Sequence, residues 1–235
     1  MHQPSLAHNR HEAMTSFFDG AVEVVPARLD VMPDRVRDLA RRLSATERRR
    51  AERLVVERDR RRYAVARGLL REQLASRLGV APDEVELDCG PFGKPGIPQG
   101  DLRFNVSRSG ETAVFAFSRG REIGIDIEVV REVPEADAIA ARFFSSRESE
   151  AFLALGPRDK PLGFFNCWTR KEAFLKARGE GLRHRLDRCE VSLAPGEPAR
   201  ILRVGETPGD VCGWSLQELS LGPGLVGAVV MQDLR

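Results

Sequence analysis

The run Glu122-Ile123-Gly124-Ile125-Asp126-Ile127-Glu128 carries an isoleucine at every second position, the period of a strand with one buried face. That phase sets Ile123, Ile125 and Ile127 on one side and Gly124, Asp126 and Glu128 on the other. Two carboxylates then project from one strand with no lysine or arginine between them. Like charges held as neighbours repel unless a cation offsets them. A hard divalent ion such as Mg²⁺, shared with phosphate oxygens, is the usual solution. The competing reading is a strand edge whose acids face water.

The 235 residues suffice for one large domain or two small ones. No apolar run approaches the roughly 20 residues that span a bilayer, so no membrane insertion is expected. Met1 to Met14 holds three histidines and no apolar core segment, which fits a frayed tail (residues 1–15) rather than a secretory signal. Cys89, Cys167, Cys189 and Cys212 are scattered without a Cys-x-x-Cys pair, the pattern of reduced thiols in a cytoplasm. Net charge is only +2, yet arginines crowd the stretch from Arg35 to Arg71. A guanidinium fork suits phosphate oxygens.

Along the chain, Pro33 to Leu43 reads as a short helix, and Ser44-Ala-Thr-Glu47 has capping-box spacing for the next. A basic helical pattern runs on to Leu78, broken near Glu57 to Asp59, with an apolar stripe at Leu69, Leu70, Leu74 and Leu78 and an end at Gly79. Most of Arg48, Arg49, Arg50, Arg53, Arg60, Arg61, Arg62 and Arg67 read as a solvated face. Nucleic-acid binding is the other use of such a helix. Tyr63 is its only aromatic and acids are interleaved, which argues against stacking on bases.

Val85 to Cys89 alternates as a strand, followed by a turn-rich loop, Gly90 to Gly96, that carries Lys94. Arg103 to Val106 reads as a short strand leading into Ser107-Arg108-Ser109-Gly110, a candidate phosphate-cradling turn. Thr112 to Phe117 and the acidic strand then suggest an antiparallel hairpin turned at Arg119 to Arg121. Ala136 to Phe144 is an amphipathic helix, and Ser145 starts another in which Glu148 is either the return half of a capping box or catalytic. Trp168 to Leu182 is a helix ended by glycines, with Glu172 and Lys176 one turn apart on a shared face. Segments 189–193, 200–204, 213–219 and 226–231 read as strands of a second sheet. No strong sequence repeat is visible. Each half nevertheless runs helices and then strands, which predicts an α+β fold of two similar lobes, 16–120 and 121–235, meeting near Arg119 to Glu122 around a ligand site.

Taken in order, Gly93-Lys-Pro95, Phe104-Asn-Val-Ser107, Gly124-Ile-Asp-Ile-Glu128, Arg142-Phe-Phe-Ser145 with Glu148, and Trp168-Thr-Arg-Lys-Glu-Ala173 leading to Lys176 resemble the Sfp-type 4′-phosphopantetheinyl transferases. The resemblance runs from roughly Ala45 to Leu193. It implies two α+β lobes related by a pseudo-twofold axis, with coenzyme A and Mg²⁺ between them. The implied reaction moves the phosphopantetheine arm to a serine of an acyl or peptidyl carrier protein and releases adenosine 3′,5′-bisphosphate. Carried across, Asp126, Glu128 and Glu172 are the metal carboxylates, Glu128 through a water. Lys176 meets phosphate charge, Lys171 lies near the cofactor, and Lys94 and Ser107 contact the nucleotide end. Arg67, with Arg48 and Arg53, matches the basic positions near the 3′-phosphate, and Glu148 matches a residue proposed as general base.

One position departs from the family pattern. Arg108 stands where a histidine is usual, exchanging a titratable group for a permanent charge. The resemblance further implies a monomer serving peptide, polyketide or fatty-acid synthases. A catalytically weak coenzyme A- or carrier-binding module is the alternative that Arg108 leaves open.

Overall fold

A computed structural model describes residues 14–90, 92–179, 186, 189–205 and 213–234. The tail to residue 13, the glycine end at Gly181 and Leu182, and Cys212 lie outside the described residues. The chain forms two α+β lobes that follow one path. The first has strands β1 (Thr15–Phe17) and β2 (Val22–Arg28), then helices α1 (Pro33–Arg41), α2 (Ala45–Glu52) and α3 (Glu57–Leu78). The short pair β3 (Asp88–Cys89) and β4 (Pro95–Gly96) follows, and then the hairpin β5 (Leu102–Ser109) and β6 (Thr112–Arg119). Its sheet order is β1-β2-β6-β5, antiparallel throughout.

The second lobe begins with β7 (Ile123–Val129), continues through α4 (Ala136–Phe143), α5 (Ser146–Leu153) and α6 (Lys160–Arg178), and adds a small pair, β8 (Cys189–Val191) and β9 (Ile201–Val204). It closes with β10 (Trp214–Glu218) and β11 (Leu225–Gln232), in sheet order β10-β11-β7. Strand, three helices and hairpin thus recur, with β2-β6-β5 repeated as β7-β11-β10. Among the described residues no helix is long and apolar enough to cross a membrane.

Both lobes pack a long helix on a sheet. Leu39 of α1 and Val65, Leu70 and Leu74 of α3 bury against Phe104, Phe115 and Phe117 in the first. Phe164, Phe165 and Phe174 of α6 fill the second with Phe144, Phe152, Ala228 and Val230. A third cluster joins the lobes: Ile123, Ile125 and Ile127 pack on Val22, Val24, Val114 and Ala116. The isoleucine face therefore closes onto the neighbouring lobe's sheet.

Four local expectations are corrected. Residues 112–129 do not make a hairpin, because β6 pairs with β2 and β5 while β7 pairs with β11. Ser107-Arg108-Ser109 is strand rather than a phosphate-cradling turn, since all three pair with β6. Only Asp88 and Cys89 of the segment 85–89 are strand. The four C-terminal strands divide between two sheets, with β8 and β9 apart from β10 and β11. Strands β1 and β2 had no counterpart in the sequence reading.

Candidate functional site

The acidic strand meets α6 at Gly124, where any side chain is excluded: a Cβ would lie 2.0 Å from the Ala173 carbonyl oxygen and 2.3 Å from the Ala177 nitrogen. This approach brings the Asp126 face of β7 against Glu172 and Lys176. Lys176 Nζ donates to Asp126 Oδ1 at 2.6 Å, and the Ser107 hydroxyl donates to the same oxygen at 2.8 Å. Asp126 is 5 % exposed. Its Oδ2 and Glu172 Oε1 are buried without a hydrogen-bond partner. Burial pushes the Asp126 carboxyl above its usual range, although Lys176 opposes the shift. Burial, and then the charge of Asp126, push Glu172 the same way.

Two orphaned carboxylate oxygens in one place are a strong reason to expect a cation, since burial without a partner is costly. Oxygen donors of this kind suit a hard divalent ion. Glu128, the third expected ligand, accepts from Ser109 Oγ at 2.7 Å and lies 3.5 Å from Arg131. Among the described residues no three acidic, histidine or cysteine side chains are drawn into a closed metal cage. The charges of Asp126 and Glu128 both act on Glu172, and Lys176, paired with Asp126, opposes them.

The first lobe opens a cleft of about 770 Å³ on the other face of β5, with Arg108 in its lining and none of the three carboxylates. Tyr63, Arg67 and Arg71 line it from α3 at four-residue spacing, joined by Arg50 of α2, Arg108 of β5 and Gly93 and Pro95 of the loop. The Arg108 guanidinium carbon lies 5.7 Å from the Tyr63 ring centroid. Among the described residues Arg50 and Arg108 have no ion pair. Arg67 shares Glu47 with Arg71.

The remaining expected residues are distributed differently. Arg48 and Arg53 are exposed and do not line the cleft. Lys94 directs its ammonium to Glu122 (2.7 Å), the Ile123 carbonyl (3.1 Å) and the Ala177 carbonyl (3.0 Å), pinning its loop to β7 and α6. Burial lowers its pKa. Glu148 and Lys171 are engaged with each other at 2.5 Å and are 2 % and 1 % exposed. Glu148 also accepts Ser145 N and Val191 N, each at 2.8 Å, so its capping-box role is real and no open carboxylate oxygen faces the cleft. Lys171 completes its bonding on the Cys189 carbonyl. The sequence reading missed Arg50, Tyr63 and the bonding of Asn105 and Ser109. The spacing 63, 67, 71 was the available signal for one face of α3.

Residues 122–229 match the family model of the 4′-phosphopantetheinyl transferase superfamily, and residues 32–119 match that of the 4′-phosphopantetheinyl transferase N-terminal region. The 4′-phosphopantetheinyl transferase HetI of a Nostoc species is 38 % identical over 207 residues, 86 % of this chain and 84 % of that protein. Sfp of Bacillus subtilis, another 4′-phosphopantetheinyl transferase, is 32 % identical over 152 residues, 64 % of this chain and 66 % of that protein. The human L-aminoadipate-semialdehyde dehydrogenase-phosphopantetheinyl transferase is 29 % identical over 167 residues, 66 % of this chain and 54 % of its own. The two-lobed fold and these relatives define a group-transfer enzyme. The chain belongs to the 4′-phosphopantetheinyl transferase family.

Proposed function

We propose that this transferase takes the phosphopantetheine arm of coenzyme A to a serine of an acyl or peptidyl carrier protein, with Mg²⁺ held by Asp126 and Glu172 and, through a water, by Glu128. The observation that carries the metal assignment is the pair of unpartnered buried oxygens, Asp126 Oδ2 and Glu172 Oε1. A Mg²⁺ bound there would polarise the pyrophosphate and neutralise the departing adenosine 3′,5′-bisphosphate.

The chain's own residues position the reactants, which is most of what phosphoryl transfer requires. Arg50, Arg67 and Arg108 hold the phosphate-bearing nucleotide end in the first lobe's cleft, and the exposed Arg48 and Arg53 add positive charge to the lobe's surface outside its lining. Lys176, beside Asp126, meets the pyrophosphate and steadies negative charge as the bond to phosphorus breaks. Ser107 fixes the rotamer of Asp126. Lys94, Lys171 and Glu148 act by holding the loop, α5, α6 and β8 in register. On this reading residues 16–120 supply nucleotide contacts and 121–235 the metal carboxylates.

The carrier belongs to a peptide, polyketide or fatty-acid synthase. The enzyme acts as a monomer, since two lobes in one chain complete the site, and in the cytoplasm, in keeping with the free thiols of Cys89, Cys167 and Cys189. The test is intact-mass analysis of an apo carrier protein after incubation with the enzyme, coenzyme A and Mg²⁺. A gain of one arm that disappears with EDTA and in Asp126→Ala is the expected result. Coenzyme A binding without any gain on several unrelated carriers would replace the transferase reaction with a binding role.

A further inference from the structure

Asn105, Ser107 and Ser109 point from β5 towards β7, and each accepts a main-chain N–H from it. Asn105 Oδ1 takes Ile125 N at 2.9 Å, Ser107 Oγ takes Ile127 N at 3.2 Å, and Ser109 Oγ takes Val129 N at 3.0 Å. The pairs advance in step, so the strands run parallel, joined by side chains instead of a backbone ladder. A serine hydroxyl that accepts an N–H has one proton left to donate. Here both protons go to carboxylates, Ser107 to Asp126 at 2.8 Å and Ser109 to Glu128 at 2.7 Å. Asn105 makes the same kind of rung, but its neighbour on β7 is Gly124, with no carboxylate to orient.

We propose that Ser109 is a positioning residue for the metal site, fixing Glu128 from the opposite lobe. The inference rests on the reading of Asp126, Glu128 and Glu172 as the metal carboxylates. Its physical basis is a competition. Arg131 lies 3.5 Å from the Glu128 oxygen that Ser109 holds, on the same strand's exit. Without the hydroxyl, Glu128 turns towards that guanidinium and leaves the site. The metal set is therefore complete only when the two lobes are zipped.

Mn²⁺ binding to the full chain with coenzyme A present, followed by electron paramagnetic resonance, tests this. Ser109→Ala is expected to bind Mn²⁺ about tenfold more weakly, the usual cost of losing a partner that orients a ligand. Ser109→Thr, which keeps the hydroxyl, is expected to match the wild type. Asn105→Ala is expected to lower Tm and leave Mn²⁺ affinity unchanged, separating positioning from general support. In turnover, Ser109→Ala raises the KM for Mg²⁺ and keeps kcat at saturating metal. Wild-type Mn²⁺ affinity in Ser109→Ala, or equal weakening in Asn105→Ala, overturns the proposal and leaves the metal assignment standing. A wild type that does not bind Mn²⁺ at all overturns both.

Discussion

The two lobes carry the same strut and put it to different ends. Ala40-Arg-Arg-Leu-Ser-Ala-Thr-Glu47 recurs as Ala141-Arg-Phe-Phe-Ser-Ser-Arg-Glu148, and both serine–glutamate pairs close capping boxes. Arg71-Glu72 and Lys171-Glu172 each stand eight and seven residues before a left-handed glycine, Gly79 or Gly179, that ends the long helix. In both lobes the cap glutamate receives the base from that helix, Glu47 from Arg71 and Glu148 from Lys171. Both bases then fasten the chain that follows the helix, Arg71 on the Pro82 and Val85 carbonyls and Lys171 on that of Cys189. The difference comes one residue later. Glu72 is neutralised by Arg35 and Arg42, whereas Glu172 keeps an unpartnered buried oxygen. Among the described residues the first lobe instead leaves two cations of its cleft without an ion pair, Arg50 and Arg108. A phosphate ligand bridged by a divalent ion would answer both imbalances.

Exchanging each member of the Glu72 and Glu172 pair for glutamine breaks this comparison most sharply. Glu172→Gln is expected to lower transfer by a factor on the order of 10²–10³, as loss of a preorganised charge does. The same change should stabilise the metal-free protein by about 1 kcal/mol, because a carboxylate with a buried, unpartnered oxygen and a like charge at Asp126 is removed. Glu72→Gln should keep transfer and lose up to about 1 kcal/mol of stability, since its partners are partly solvated. The pH dependence has a definite sign. Burial holds the Glu172 carboxyl above its ordinary range, so the native state binds more protons than the unfolded state just above that range. The wild type's contribution from this residue is therefore greatest in acid and is lost as pH rises through the raised value. Melting curves in EDTA should show Glu172→Gln gaining on the wild type from about pH 4 upwards and equal to it below. A constant offset across pH would contradict this account.

The second comparison concerns Glu148. If it is the counterpart of Glu47, Glu148→Gln and Glu47→Gln act alike, each lowering stability by about 3–5 kcal/mol by stranding a buried base. Replacing both partners, Glu148→Leu with Lys171→Met, should return much of that loss. Transfer by Glu148→Gln should then follow its folded fraction. A variant of unchanged Tm with a kcat hundreds of times lower would instead give Glu148 chemistry that Glu47 lacks.

What the sequence made legible was what depends on local period. The two faces of β7 followed from alternation, and both capping boxes from Ser-x-x-Glu spacing. What it hid depends on where the lobes meet. Ser107 to Gly110 resembles a turn because hydroxyls precede a glycine, and only the presence of β7 alongside makes those hydroxyls a zipper. Gly120 looked like a hairpin turn, yet the chain there leaves one sheet for another, a choice settled by the isoleucine face closing on Val22 and Val114. The sequence repeat is faint because few identities survive: Arg42 and Leu43 answer to Phe143 and Phe144, and Arg67 and Arg71 to Cys167 and Lys171. It is carried by spacing and charge type.

The smallest predicted effect tests the first lobe's side of the imbalance. Arg108, the last residue but one of β5, lies near Tyr63 in the cleft, without an anionic partner among the described residues. Guanidinium keeps its charge at every physiological pH, while a histidine in its place titrates near pH 6.5. Arg108→His should therefore resemble the wild type at pH 6. By pH 8 its KM for coenzyme A should rise by about two- to fivefold, the equivalent of the ~0.5–1 kcal/mol that a half-solvated charge contact contributes. kcat should not change, because Arg108 touches neither Asp126 nor Glu172. A pH-independent KM in Arg108→His would mean that Arg50 and Arg67 alone balance the phosphate. The cleft's excess positive charge would then reside on α2 and α3, and the family's usual histidine position would carry shape rather than charge.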